Sequence, residues 1–184
     1  SNSGQPGLNA NEGGANTDGV VIDWRCFGSS VYSPSTGNSN RYDLPYDRGR
    51  TATHEVGHFL GLRHIWGDGG SQALGIIDCN ASDYCADTPV AGWDNYDCEQ
   101  TYDSCPSSPG NDMTENYMDY SPDRCMSVFT NDQKKRMHAV LAVSPRRAQL
   151  VAYATSNEQR LSVEVYPNPV GDYLHANVYT PNYA

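Results

Sequence analysis

The sequence predicts an α+β chain in which helical and strand-like segments stand apart. Three observations carry that expectation. Two segments, beginning at Thr51 and Thr130, have helical periodicity. Strand-like segments lie outside them, at 20–24 and 161–175. Between the helices, residues 65–112 are rich in Asp, Gly and Cys and have little apolar periodicity.

Residues 1–19 are rich in Gly, Asn and Ser and read as loop. Val20-Val21-Ile22-Asp23-Trp24 follows as a strand, with β-branched and aromatic residues bounded by Gly19 and Gly28. A second polar stretch runs to about Arg48. From Thr51, Ala52, Val56, Phe59 and Leu60 form an apolar stripe at helical spacing, and Gly61 stands where a left-handed residue ends a helix. Thr130 and Gln133 make a capping box for the next helix, with Met137, Val140 and Leu141 on its apolar side and Pro145 limiting its extent. The segment "LSVEVYPNPVGDYLH" (161–175) alternates, turns at Pro167 to Gly171 and resumes. It reads as the start of a separate β-module. The expected division is 1–150 for the main domain, 151–160 for a linker and 161–184 for that module.

A length of 184 residues suits one main domain, and 38% apolar content with three Trp, thirteen Tyr and three Phe is a globular composition. A formal charge of −10 with twelve Lys plus Arg argues against nucleic acid and anionic membrane as partners, since both select basic patches. Cations and basic substrates fit better. No apolar run reaches membrane-span length, and no basic segment leads into an apolar one at the N-terminus, so the expectation is that any signal lies upstream or has been removed. Of six cysteines, Cys26, Cys79, Cys85, Cys98, Cys105 and Cys125, five crowd the loop-rich part. An even count there points to disulfides and an oxidising compartment, with the pairing open. A cysteine zinc site would want C-x-x-C pairs, and there are none.

The chemistry concentrates in "THEVGHFLGLRH", residues 53–64. His54 and His58, four apart, stand one turn above each other on a helix face, close enough to share one Zn²⁺. Glu55, about 100° round from His54, places a carboxylate where it can take a proton from water activated at the metal. Gly61 can turn the chain so that His64 folds back as a third ligand, which a continued helix would carry away. Three protein ligands leave one position open, as in catalytic zinc sites. An HExxH match alone occurs by chance, but the extended HExxHxxGxxH pattern fixes five positions together. His138 and His175 stand outside it and read as ordinary residues.

That motif resembles the metzincin metalloproteases. With "HIWGDGG" (64–70), "DTP" (87–89) and "NYMDYSPDRCM" (116–126), the stretch from about Gly19 to Leu150 looks like the pappalysin family. The resemblance implies a metzincin-like zinc peptidase domain with an active-site helix, a loop-rich C-terminal subdomain and a Met-turn. It gives Met118 the packing position beneath the metal and Tyr120 the hydroxyl that helps hold the oxyanion. It puts Asp123 at the base of the pocket for the side chain after the scissile bond, and strand 20–24 at the edge where substrate adds as a strand. It also implies disulfides Cys79–Cys105 and Cys98–Cys125, leaving Cys26 and Cys85 for a third as a residual inference.

The family's larger N-terminal subdomain is not evident in the 53 residues before His54, so the expectation is a fragment, a trimmed product or a chain whose other half or pro-segment is supplied separately. The C-terminal "VYPNPVGDYLHANVY" resembles the start of a type IX secretion sorting domain, which implies secretion or surface display in a Gram-negative bacterium. The function expected is a secreted zinc endopeptidase acting on peptides and proteins through a Glu55-promoted, zinc-bound water and cleaving before Arg, then Lys. Calcium is expected as a structural ion in the acidic loop, with Asp68, Asp78, Asp87 and Thr88 as ligands. The alternative is a catalytically inactive zinc- or calcium-binding surface protein or fragment.

Overall fold

A computed structural model, describing residues 18–28, 43–155, 162–166 and 175–179, shows an architecture of helices joined by long irregular chain. In order it has α1 (Trp24–Phe27), α2 (Arg50–Phe59), a 3₁₀ turn at Gln72–Leu74, α3 (Asn131–Val143) and α4 (Pro145–Thr155). An antiparallel pair follows, β1 (Ser162–Tyr166) with β2 (His175–Tyr179), in which Ser162 faces Tyr179 and Tyr166 faces His175. The turn expected at Pro167 to Gly171 lies outside the described residues, as do residues 1–17 and 29–42. Among the described residues, no helix is long and apolar enough to cross a membrane.

The expected strand at 20–24 is not formed. Residues 20–23 have no regular structure, and Trp24–Phe27 closes a helical turn capped by Asp23, whose carboxylate accepts the Arg25 N–H at 2.9 Å. β-Branched residues favour a pleated surface only where a neighbouring strand takes their backbone groups. Among the described residues none lies beside this segment. Val21 and Trp24 are 90% and 69% exposed, so these two side chains stand largely in solvent.

Helix α2 ends where the sequence places its break. Gly61 has φ 86°, its N–H bonds His58 O at 2.8 Å, and the Leu62 N–H returns to Gly57 O at 3.0 Å. Helix α3 begins on the expected capping box: the Thr130 hydroxyl accepts the Gln133 N–H while the Gln133 amide oxygen accepts the Thr130 N–H. Pro145 does end α3, but it also opens α4, which runs to Thr155 into the stretch expected as linker. Proline at a first helical position loses nothing, because that N–H has no helical acceptor.

The apolar core is small and lies under the histidine motif: Leu62, Ile65, Trp66, Ala91 and Met118, with Met113, Tyr120, Phe129 and Met137 against it. Much of the remaining interior is polar, and Asn95, Asn116, Asp119 and Gln133 are fully buried. These groups bond to one another, with Asn95 Oδ1 left without a partner. The Asn116 and Gln133 amides exchange two hydrogen bonds at 2.9 and 3.1 Å, and the Asn95 amide donates to both Asp112 and Asp119. Such a network replaces the backbone ladders that the chain between α2 and α3 lacks.

Two disulfides complete it, Cys79–Cys105 and Cys98–Cys125, closing separations of 26 and 27 residues. The third bond is not formed. Cys26 and Cys85 are both buried and free. Their surroundings differ: Cys26 lies near Thr51 and Asp43, whereas Cys85 lies near Asp83 and Arg136, where burial pushes its thiol up to about 12.

Candidate active site

Helix α2 supplies His54 and His58, and the chain beyond Gly61 returns His64 to them. The three Nε2 atoms stand 3.0 to 3.2 Å from one another. Each opposite nitrogen has its own acceptor. His54 Nδ1 donates to Tyr117 O at 2.7 Å, His58 Nδ1 to Leu62 O at 3.0 Å, and His64 Nδ1 to the Asp68 carboxylate. With Nδ1 protonated in all three neutral rings, three Nε2 lone pairs face one point. That arrangement repels itself unless a cation occupies the point. Ligands about 2.0–2.1 Å from a tetrahedral zinc stand roughly 3.3 Å apart, so the spacing fits the ion the motif implies.

Burial favours the neutral form of His54 and of His64. It pushes the His54 pKa down to about 4, with His58 and His64 adding repulsion, and it also lowers His64 despite the neighbouring Asp68. Trp66 stacks on His64 with ring centres 4.3 Å apart and planes within 7°. Tyr120 lies against the group, its ring centre 4.8 Å from His64 and 5.7 Å from His54. Burial and the nearby Asp68, Asp94 and Glu55 carboxylates hold its phenol protonated beyond its ordinary range.

From below, Met118 is fully buried, and a Cβ placed on Gly57 would meet its sulfur at 2.5 Å. The Met118 N–H is held by Asn116 Oδ1 at 2.9 Å, and Met118 O accepts the Ile65 N–H at 3.2 Å. The turn that carries Met118 therefore holds His54 through Tyr117 O and the segment carrying His64 through Ile65. Two arginines secure the other end of α2: Arg136 Nε donates to Gly61 O at 2.7 Å and Arg147 Nε to Phe59 O at 3.1 Å. Positive charge at a helix C-terminus also suits the helix dipole.

Beside the histidines lies a cavity of about 290 Å³, lined in part by His54, Glu55, Tyr46, Tyr96, Tyr120 and Cys26. Glu55 and Tyr120 thus share one opening with a metal-site imidazole. Asp123 lies under the start of α2, its N–H bonding Pro45 O at 3.3 Å and its carboxylate within electrostatic reach of Tyr46 and Cys26. It is 2% exposed; its Oδ2 accepts the backbone N–H of Arg48 at 2.7 Å and of Arg50 at 3.0 Å, and Oδ1 is buried with no partner. Burial raises its pKa. Arg124, its neighbour in sequence, pairs with Glu99 instead.

The four expected calcium ligands are not gathered. Among the described residues, the groups of three or more His, Cys, Asp or Glu with ligand atoms within 4.8 Å of one another comprise the three histidines alone. Asp68 serves His64 and Arg63, the Asp78 carboxylate accepts the Asn80 N–H at 2.9 Å, and Asp87 accepts the Asp132 N–H in the first turn of α3. Thr88 is buried beside Asp83. Different donors claim these carboxylates one by one: side chains for Asp68, a local backbone N–H for Asp78 and a backbone N–H 45 residues away for Asp87, which spacing in sequence does not reveal. Sequence reasoning also missed the Asp123 cap on α2 and the two arginines at its far end.

The sequence profile of the peptidase M43 family, described as pregnancy-associated plasma protein-A, matches residues 36–142. The chain is 48% identical over 122 residues to an extracellular metalloprotease of Colletotrichum graminicola, covering 66% of this chain and 37% of that protein. It is 47% identical over 92 residues to one of Aspergillus fumigatus, covering 50% and 27%. Among solved structures, mature mirolysin of Tannerella forsythia in complex with a cleaved peptide matches with a TM-score of 0.54 and 42% identity, over 63% of this chain and 42% of that one. The chain spans less than half the length of each of these relatives.

Proposed function

The chain belongs to the peptidase M43 family, and from that premise we propose that it is a zinc-dependent endopeptidase of pappalysin type. The observation that carries the reading is the convergence of three Nε2 atoms beside a cavity that also presents Glu55. His54, His58 and His64 would hold the ion. Zinc at such a site supplies a Lewis acid and brings the pKa of water to about 7.

The side chains do the rest. Glu55 takes a proton as the water oxygen adds to the scissile carbonyl carbon, then returns it to the amine nitrogen as the C–N bond breaks. The Tyr120 hydroxyl, kept protonated, donates to the oxyanion. Metal analysis of the purified protein tests the premise: one zinc per chain at neutral pH is expected, and none would remove it. A second reading, zinc binding without turnover, draws on residues 20–24, which offer no strand for substrate to extend. A peptide-cleavage assay separates the two.

We further propose that cleavage falls before Arg, with Lys second. Asp123 supports this through its unpartnered Oδ1, on a carboxylate fixed by the two N–H bonds to Oδ2 and within electrostatic reach of the cavity residues Tyr46 and Cys26. The free oxygen there would accept from a guanidinium N–H, and from an ammonium less completely. Asp123→Ala is expected to flatten the cut-site preference in a mixed peptide library; a preference for Arg that survives the substitution would dismiss the pocket assignment. The capped helix start makes Asp123→Asn the gentler companion variant.

The proposal extends to structural calcium in the stretch between α2 and α3. Its support is the density of carboxylates there, with Asp83, Asp94 and Asp112 buried among other acidic residues, a density that repels unless a cation joins it. The Asp68, Asp78 and Asp87 carboxylates are not gathered within 4.8 Å of one another. Calcium is expected to raise the unfolding midpoint above that in magnesium buffer, and equal midpoints would dispose of it. Secretion is supported by the extracellular relatives and the two disulfides, and export through a type IX sorting domain by the resemblance of residues 161–184.

A further inference from the structure

We propose that Asp68 is a positioning residue for the third histidine, its carboxylate fixing His64 with Nδ1 protonated and Nε2 aimed at His54 and His58. The inference rests on the zinc reading and deepens it. His54 and His58 are turned by backbone carbonyls, Tyr117 O and Leu62 O, which substitution does not remove. His64 alone is turned by a side chain. Trp66 sets the plane of the His64 ring by stacking, and rotation within that plane is left to the Nδ1 contact.

The backbone argues that this side chain is kept for a reason. Asp68 has φ 65°, in the left-handed region where glycine sits freely, and it lies in the run Gly67-Asp68-Gly69-Gly70. The three glycines are required by space: a Cβ would meet Ser82 N at 2.3 Å from position 67, Asp78 Oδ2 at 2.4 Å from 69 and Gly92 O at 1.8 Å from 70. Position 68 combines a glycine-like conformation with room for a side chain, and the side chain there reaches the histidine. Arg63 holds it from behind, bonding Asp68 Oδ2 at 3.1 Å and Gly67 O at 2.9 Å. A carboxylate on the far nitrogen of a ligating imidazole fixes its tautomer and strengthens it as a donor.

The test compares the parent with Asp68→Gly and Asp68→Asn by zinc affinity, measured in competition with a chromogenic chelator, and by the unfolding midpoint of the metal-free protein. Glycine relieves the backbone while removing the acceptor, so Asp68→Gly should keep its metal-free midpoint near the parent's and lose about 10–100-fold in zinc affinity. Asparagine tolerates left-handed backbone and retains a weaker acceptor, giving a smaller, several-fold loss. Equal affinity in all three overturns the proposal. If Asp68→Gly fails to fold, Asp68→Asn decides alone, and parental affinity overturns it. A parent that binds no zinc instead removes the zinc reading, a different result.

Discussion

Glu55→Gln is expected to keep one zinc per chain and lose at least about 10²-fold in turnover, approaching 10⁴-fold. The substitution keeps shape and hydrogen-bonding capacity but removes the base. Glu55 is not among the three side chains that converge on one point, so metal content should stay near that of the parent. It lines the cavity beside His54, within electrostatic reach of Tyr120, which is where the proposed mechanism needs a base. Zinc content and peptide cleavage measured on one sample decide the matter: a variant that cleaves at the parental rate ends the general-base assignment.

His58→Ala should do the opposite, losing the metal first and activity with it. Two donors in place of three leave an incomplete site, and zinc affinity should fall by on the order of 10³-fold. The fold offers a second readout. A ligand bound only to the native state at a hundred times its dissociation constant adds about 2.7 kcal/mol of stability. Added zinc should therefore raise the parent's unfolding midpoint and leave that of His58→Ala nearly unmoved; equal shifts would place the metal elsewhere. Acid should act on the metal-free parent in the same direction. Between pH 6.5 and about 4, the unfolded chain takes up a proton that buried His54 refuses, so the unfolded state binds more protons and stability falls as pH falls through that window.

The reach of sequence reasoning followed the range of the forces involved. The glycine break at Gly61 and the capping box at Thr130 are decided within a few residues, and both stand in the structure where the sequence puts them. The strand at 20–24 failed because β-structure depends on a partner that local composition does not supply. Pro145 was legible as a stop and equally describes a start, so α4 went unseen. Acidic residues were the hardest. Asp68, Asp87 and Asp123 look alike in sequence, yet one turns an imidazole, one caps α3 and one caps α2, because the donor that claims each carboxylate arrives by the fold.

The contact between Gly57 and Met118 bears on how this chain can drift. In the pattern HExxH the intervening positions are written as free, but the second of them here is Gly57, and any side chain on it would enter space held by a methionine sulfur with no exposed side to retreat to. Substitution at 57 alone presses α2 off its support, and a smaller residue at 118 alone opens a void beneath the two histidines that α2 carries. Neither position touches the reacting atoms. Change at one is tolerated only with compensating change at the other, 61 residues along the chain, so the pair diversifies together or stays fixed.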